Sequence, residues 1–174
     1  MKRICLGMML ILTLPLAAQH EQHMKSPAAA AAPQAMAQHH AFLEAEREAI
    51  ERGEGFGMAL AADQNGYPGP KHVLEMKKEL KLTPAQEAAM QKLMAEMKGK
   101  ALAKGKDVLL AEKRLEEYFA QGKSEDELRE ETYRVSSLRA ELRWVHLSAH
   151  LAAKKLLTPE QIAAYQPLWQ GAGM

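Results

Sequence analysis

LTPAQEAAMQKL (residues 82–93) and LTPEQIAAYQPL (157–168) say the same thing twice. Leu, Thr, Pro and Gln agree, as do both alanines, the second Gln and the final Leu. The phrase is a helix start. Thr83 caps: its hydroxyl accepts a free N–H of the first turn. Pro84 takes the first helical position, where a missing N–H costs nothing. Gln86 lies three residues after the cap and can reach back to the N–H of Thr83, which makes a capping box. Leu82 staples the entry. Leu157, Thr158, Pro159 and Gln161 repeat the arrangement. Each copy marks a sharp corner between two helices, and the chain turns that corner twice.

Between the corners the pattern is a long hairpin. Met90, Met94, Met97, Ala101, Val108, Ala111, Leu115 and Phe119 recur at steps of three and four, one apolar stripe on a helix over about 84–120. Gly122 ends it, and Ser124 with Glu127 forms a second kind of capping box that opens the next helix. Leu128, Val135, Leu138, Leu142, Val145, Ala149, Ala152 and Leu156 give the matching stripe. A short connection implies antiparallel neighbours. A short helix is predicted over 70–81, and a last one from Pro159 to near Pro167. No strand-like alternation is present. The predicted fold is all-α: a long antiparallel helical hairpin with short hooked terminal helices. Its unmatched apolar surface points to a homodimer or larger assembly.

The chain has 174 residues, enough for one domain. Its start reads as a targeting segment. Met1, Lys2 and Arg3 are followed by the apolar run ICLGMMLILTLPL (4–16) and by Ala17 and Ala18, which predicts a signal peptide, residues 1–18, cleaved after Ala18. The single cysteine, Cys5, leaves with it. No disulfide framework or thiolate metal site then remains. Loss of Lys2 and Arg3 leaves 21 basic and 22 acidic residues, so no basic footprint for nucleic acid exists. Residues 19–68 are expected to be a flexible leader containing Ala, Pro, His and Met, with a short helix over 42–52. Residues 69–174 form the helical domain.

Two LTxxQ corners on an exported helical chain of this length without cysteine resemble the Spy/CpxP superfamily of periplasmic stress proteins, over about residues 70–169. That superfamily includes ATP-independent chaperones, zinc-associated ZraP proteins and CnrX-like heavy-metal sensors. The resemblance implies a hooked four-helix hairpin that dimerises into a curved cradle, and a periplasmic location.

RWVHLSAHL (143–151) carries the chemistry. His146 and His150 are four apart on one helical face, and two imidazoles at that spacing can hold one divalent ion: Zn, Cu, Ni or Co. A pair needs further donors. Counting back across the turn puts Glu96 and Met97 opposite. His72 and Met76 form another i, i+4 pair near the same end. The sensor branch is similar, with His-x-x-x-His and His-x-x-x-Met pairs and a Glu, although here the His/Met pair comes first. The leader holds His20, His23, Met24, Met36, His39 and His40, loose donors for copper or zinc. Set against these are plainer readings: a polar flank beside the seam for the histidines, core filler for the methionines, a spacer for the leader.

Two functions follow. One is a metal-binding protein of heavy-metal sensing or resistance, read by a membrane signalling or efflux partner. The other is an ATP-independent holdase for unfolded exported proteins, in which the lysines and arginines of the long helices speed encounter and apolar surface holds the client. No catalytic constellation, phosphate loop or nucleophile elbow is present, so the chain is not read as an enzyme, and no organic cofactor is expected.

Overall fold

The computed structural model describes residues 27–171. It contains α1 (Pro27–Glu51), α2 (Leu60–Asp63), α3 (Pro70–Glu75), α4 (Pro84–Ala120), α5 (Glu125–Lys155) and α6 (Pro159–Gly171), with no strand among the described residues. The fold is all-α, and α4 packed along α5 is its main pairing. Two compact units divide the chain, Met1–Phe42 and Leu43–Met174. The signal segment and Cys5 lie outside the described residues.

Both corners form as capping boxes. The Gln86 N–H donates to Thr83 Oγ1 at 3.2 Å, and the Thr83 N–H donates to Gln86 Oε1 at 3.0 Å. Thr158 and Gln161 do the same at 3.3 and 2.9 Å. Ser124 and Glu127 open α5 by the same device. The corners also bind each other, which sequence reading did not find. The Gln86 side-chain amide donates to the Leu156 carbonyl at 2.9 Å and to Gln161 Oε1 at 2.8 Å. The Gln161 amide donates to the Leu80 carbonyl at 3.1 Å and to Gln86 Oε1 at 3.1 Å. Every donor and acceptor of both amides is thereby used. Each glutamine also satisfies a carbonyl just before the other corner, Leu156 at the end of α5 and Leu80 in the turn before α4.

The chain stops its helices by one recurrent means. At Gly53, Gly66, Lys81 and Gly122 φ is positive, and the following N–H reaches the carbonyl five residues back: Glu54 to Ala49, Tyr67 to Ala62, Leu82 to Lys77 and Lys123 to Tyr118. This is the Schellman arrangement. Lys81, at φ 50°, performs it with a side chain, in a conformation that normally favours glycine.

Several boundaries differ from expectation. The residues expected to be a flexible leader with a short helix over 42–52 are instead helical from Pro27 to Glu51. Its many alanines have the highest helix propensity of any residue, which outweighs the scarcity of apolar bulk. The packed unit begins at Leu43 and not near residue 69, because Ala49, Ile50 and Ala59 are buried. α3 ends at Glu75, and residues 76–81 form turns that lead into the strained Lys81. α6 passes through Pro167 to Gly171; Leu168 and Trp169 pack on the core beyond the proline and hold the helix there. Phe119 is exposed and does not extend the α4 stripe.

The core has two centres. Val73, Leu80, Met90, Ala153, Leu157 and Tyr165 gather around the corners. Ile50, Ala101, Val108 and Leu142 form the second, along the hairpin. Burying each large side chain of this kind contributes about 1.5–3 kcal/mol. At the second centre Gly105 admits Ile50: a Cβ on Gly105 would stand 2.9 Å from both the Ile50 carbonyl oxygen and its Cγ2.

Candidate functional site: a histidine-lined cavity

A cavity of about 530 Å³ opens beside the middle of the unit that begins at Leu43. α5 contributes His146 and His150, α3 contributes His72, and α4 contributes Met94 and Met97. Asp63, at the end of α2, also lines it.

Burial fixes the state of the two central histidines. His146 is 3% exposed and His150 7%. The Nδ1 of His150 stands 2.7 Å from the Tyr67 carbonyl oxygen. A carbonyl only accepts, so Nδ1 carries a proton and Nε2 is left free of that bond. Asp63 Oδ1 flanks the same nitrogen at 3.5 Å. Support of this kind fixes the orientation of the imidazole. His146 is different. Its Nε2 is buried and makes no hydrogen bond. Burial, and then the neighbouring His150, hold the His146 pKa below the ordinary imidazole value, so the ring is neutral near pH 7. An unpaired buried nitrogen costs about 1–3 kcal/mol.

The glycine-rich segment between α1 and α3 closes over both rings. A Cβ on Gly69 would lie 2.8 Å from Cε1 and Nε2 of His150, and one on Gly55 would lie 3.3 Å from Nδ1 of His146. Only a bare backbone passes Gly69. Pro68 and Pro70 on either side are buried and stiffen this approach. Lys154 Nζ sits 3.7 Å over the Tyr67 ring and pins the segment to α5. Tyr165, from α6, points its hydroxyl at Asp63 Oδ1 at 3.5 Å. Burial raises the Asp63 pKa, and His150 and His72 partly offset that.

Of the residues singled out from sequence, His146, His150, His72 and Met97 meet at this cavity. His72 is half-buried and its Nδ1 stands 3.2 Å from Glu75 Oε2. Met76 and Glu96 lie elsewhere. Met76 caps α3 and packs against the corner core. Glu96 is exposed on another side of α4, 4.0 Å from Lys92. His39 and His40 are exposed on α1, within the unit Met1–Phe42. His20, His23 and Met24 fall outside the described residues. Asp63, Tyr67, Gly69 and Met94 belong to the site and were not read as such. The run NGYPGP (65–70) directly before His72 carries Tyr67 and Gly69, while Met94 reads as part of the apolar stripe and Asp63 has no local signal.

The donors fit a metal ion at one point above all, the orphaned Nε2 of His146. Among the described residues, no three His, Asp or Glu side chains stand together closely enough to hold an ion. The imidazoles therefore offer a pair, and any further ligand must be of another kind or must move.

The chain matches the model of the LTXXQ motif family over residues 69–168 and belongs to that family. That places it in the Spy/CpxP superfamily, whose members are typically periplasmic stress proteins. Comparison with curated proteins gives no match, and neither does comparison with solved structures. No helix among the described residues is long and apolar enough to cross a membrane.

Proposed function

We propose that this protein is exported to the periplasm and binds a heavy-metal ion through His146 and His150, in the service of metal sensing or resistance. One observation carries the reading. The fold buries an imidazole nitrogen without a partner four residues from a second imidazole whose own Nε2 is freed by its bond to Tyr67. Such an expense is retained where a ligand repays it. His146 and His150 would be the holding residues, with His72 at the mouth. A bound ion supplies positive charge beside Asp63 and a tie between α5 and the glycine-rich segment. The movement of that segment is what a membrane signalling or efflux partner would read. We place the working form as a homodimer.

The test is calorimetric titration with Zn(II), Cu(II), Ni(II) and Co(II), beside the double variant His146→Ala/His150→Ala. The variant should lose binding by the folded unit. Micromolar affinity that survives in it sinks the reading.

A second reading, an ATP-independent holdase, is supported by a separate feature. Leu102 and Leu110 are exposed on α4 beside a shallow groove flanked by Lys106 and Lys113. Apolar surface ringed by lysine suits weak capture of unfolded acidic segments. The protein should then suppress aggregation of a denatured client without ATP or metal. No suppression at equimolar protein removes this role.

A further inference from the structure

Five methionines lie between residues 58 and 97: Met58, Met76, Met90, Met94 and Met97. Met76 and Met90 belong to the corner core, and Met58 packs on the second centre. These three are filler, the ordinary use of methionine. Met94 and Met97 are not. They are half-buried, belong to neither core centre, and line the cavity that contains His146. Three apart on α4, they lie on one helical face. The buried unpartnered Nε2 belongs to a histidine of the same cavity.

We propose, building on the metal-binding reading above, that the ion this cavity takes is monovalent copper, held by the Nε2 of His146 and the thioether sulfurs of Met94 and Met97. Three arguments converge. Thioethers are soft, neutral ligands that select Cu(I) and do little for Zn(II), Ni(II) or Co(II). A divalent ion of that group seeks about four nitrogen, oxygen or thiolate donors. The described residues bring no three His, Asp or Glu side chains together for one. A soft monovalent ion needs fewer, and one imidazole with two sulfurs is such a set. Finally, the surroundings suit a small charge. The rim carries Arg52, Glu54, Asp63, Lys71 and Lys98, but Leu60 and Trp169 add apolar wall, and burial already disfavours charge on His146 itself. Neutral ligands around a single positive charge cost less to desolvate than a divalent ion would. His150, a second ligand in the broader metal-binding reading, is here a neighbour tied to Tyr67 and not one of the copper's ligands.

The experiment is an anaerobic titration of the full protein with Cu(I) against a chromogenic copper(I) chelator, with Zn(II) titrated in parallel. The variants are Met94→Leu/Met97→Leu, which keeps volume and apolar character, and His146→Gln. Loss of an outer-shell partner of a metal typically costs about 10–100-fold in affinity, so loss of two direct sulfur ligands should cost Cu(I) about 100-fold or more. Zn(II) affinity should be unchanged in the leucine variant. X-ray absorption at the copper edge should show sulfur neighbours in the native protein and lose them in that variant. Circular dichroism melts confirm that the variant is folded. Cu(I) affinity unaltered by the leucines overturns the inference, whether the ion then sits on the histidines or on the N-terminal methionines. Zn(II) or Ni(II) bound through His146 and His150 with no Cu(I) preference overturns it too, yet leaves the metal-binding reading standing. Binding of no metal at all removes both.

Discussion

Gln86 and Gln161 each do three things with one amide. Each bonds its own threonine, the other glutamine and a carbonyl across the corner. Conversion to glutamate keeps the shape and the capping oxygen but removes the donors. Gln161→Glu would leave the Leu80 carbonyl unpaired and set a carboxylate against Gln86 Oε1. We expect each single change to cost about 1–3 kcal/mol. The double variant should cost clearly more than the sum, because it sets two carboxylates against each other with no amide N–H between them. Urea denaturation of the four proteins measures this. Additive losses would mean that the two amides act independently and that the cross-link carries little. The cap itself was legible at the residue scale, since Thr-Pro-x-Gln is a local pattern. The partner of each glutamine was not, because it lies 75 residues away.

At the scale of elements, glycines in α4 have opposite meanings that their letters do not reveal. Gly105 faces Ile50 at a distance that no Cβ tolerates, whereas a Cβ on Gly99 would meet nothing. Gly99→Ala should therefore stabilise the protein by about 0.5–1 kcal/mol through helix propensity alone. Gly105→Ala should destabilise it by about 1–3 kcal/mol, because Ile50 must be displaced. Thermal melts of the two variants decide it. Equal shifts of the same sign would show that the end of α1 does not pack there. The hairpin was readable from its stripes, since α4 and α5 bury the seam that the three- and four-residue steps marked. The ends were less readable. Phe119 continues the α4 pattern and is left in solvent, and Glu131 breaks the α5 pattern yet is buried, with Arg114 at 3.4 Å and Arg134 at 3.5 Å.

For the molecule as a whole, buried His146 links stability to pH. Burial lowers the folded-state pKa of His146 relative to the unfolded chain. The unfolded state therefore takes up a proton first as pH falls. The contribution of His146 is fully present above about pH 6.5 and is lost as pH falls from there toward the lowered folded-state value. The titratable neighbour acting on it is His150, which in turn faces Asp63. We expect the urea midpoint to be flat above about pH 7 and to drop below 6.5, and His146→Phe to flatten that drop. A slope unchanged in the variant would assign the acid sensitivity to the neighbours. Metal should oppose the same drop, because a ligated nitrogen cannot take the proton.

By itself the sequence determined the class of fold, the two corners, the caps, the antiparallel hairpin and the family. These rest on interactions between residues a few positions apart, and on apolar periodicity, which any reader of the chain can count. It also offered His72, His146, His150 and Met97 as donors, from spacing alone. Only the tertiary structure decided the rest. It excluded Met76 and Glu96 from the cavity, brought in Asp63 and Met94, and set the NGYPGP run against His150. It paired Gln86 with Gln161 and left His146 Nε2 alone. The reason is physical. Burial and partner choice depend on which segments close over a side chain, and the segment over these histidines is positioned by packing from residues about 80 places away.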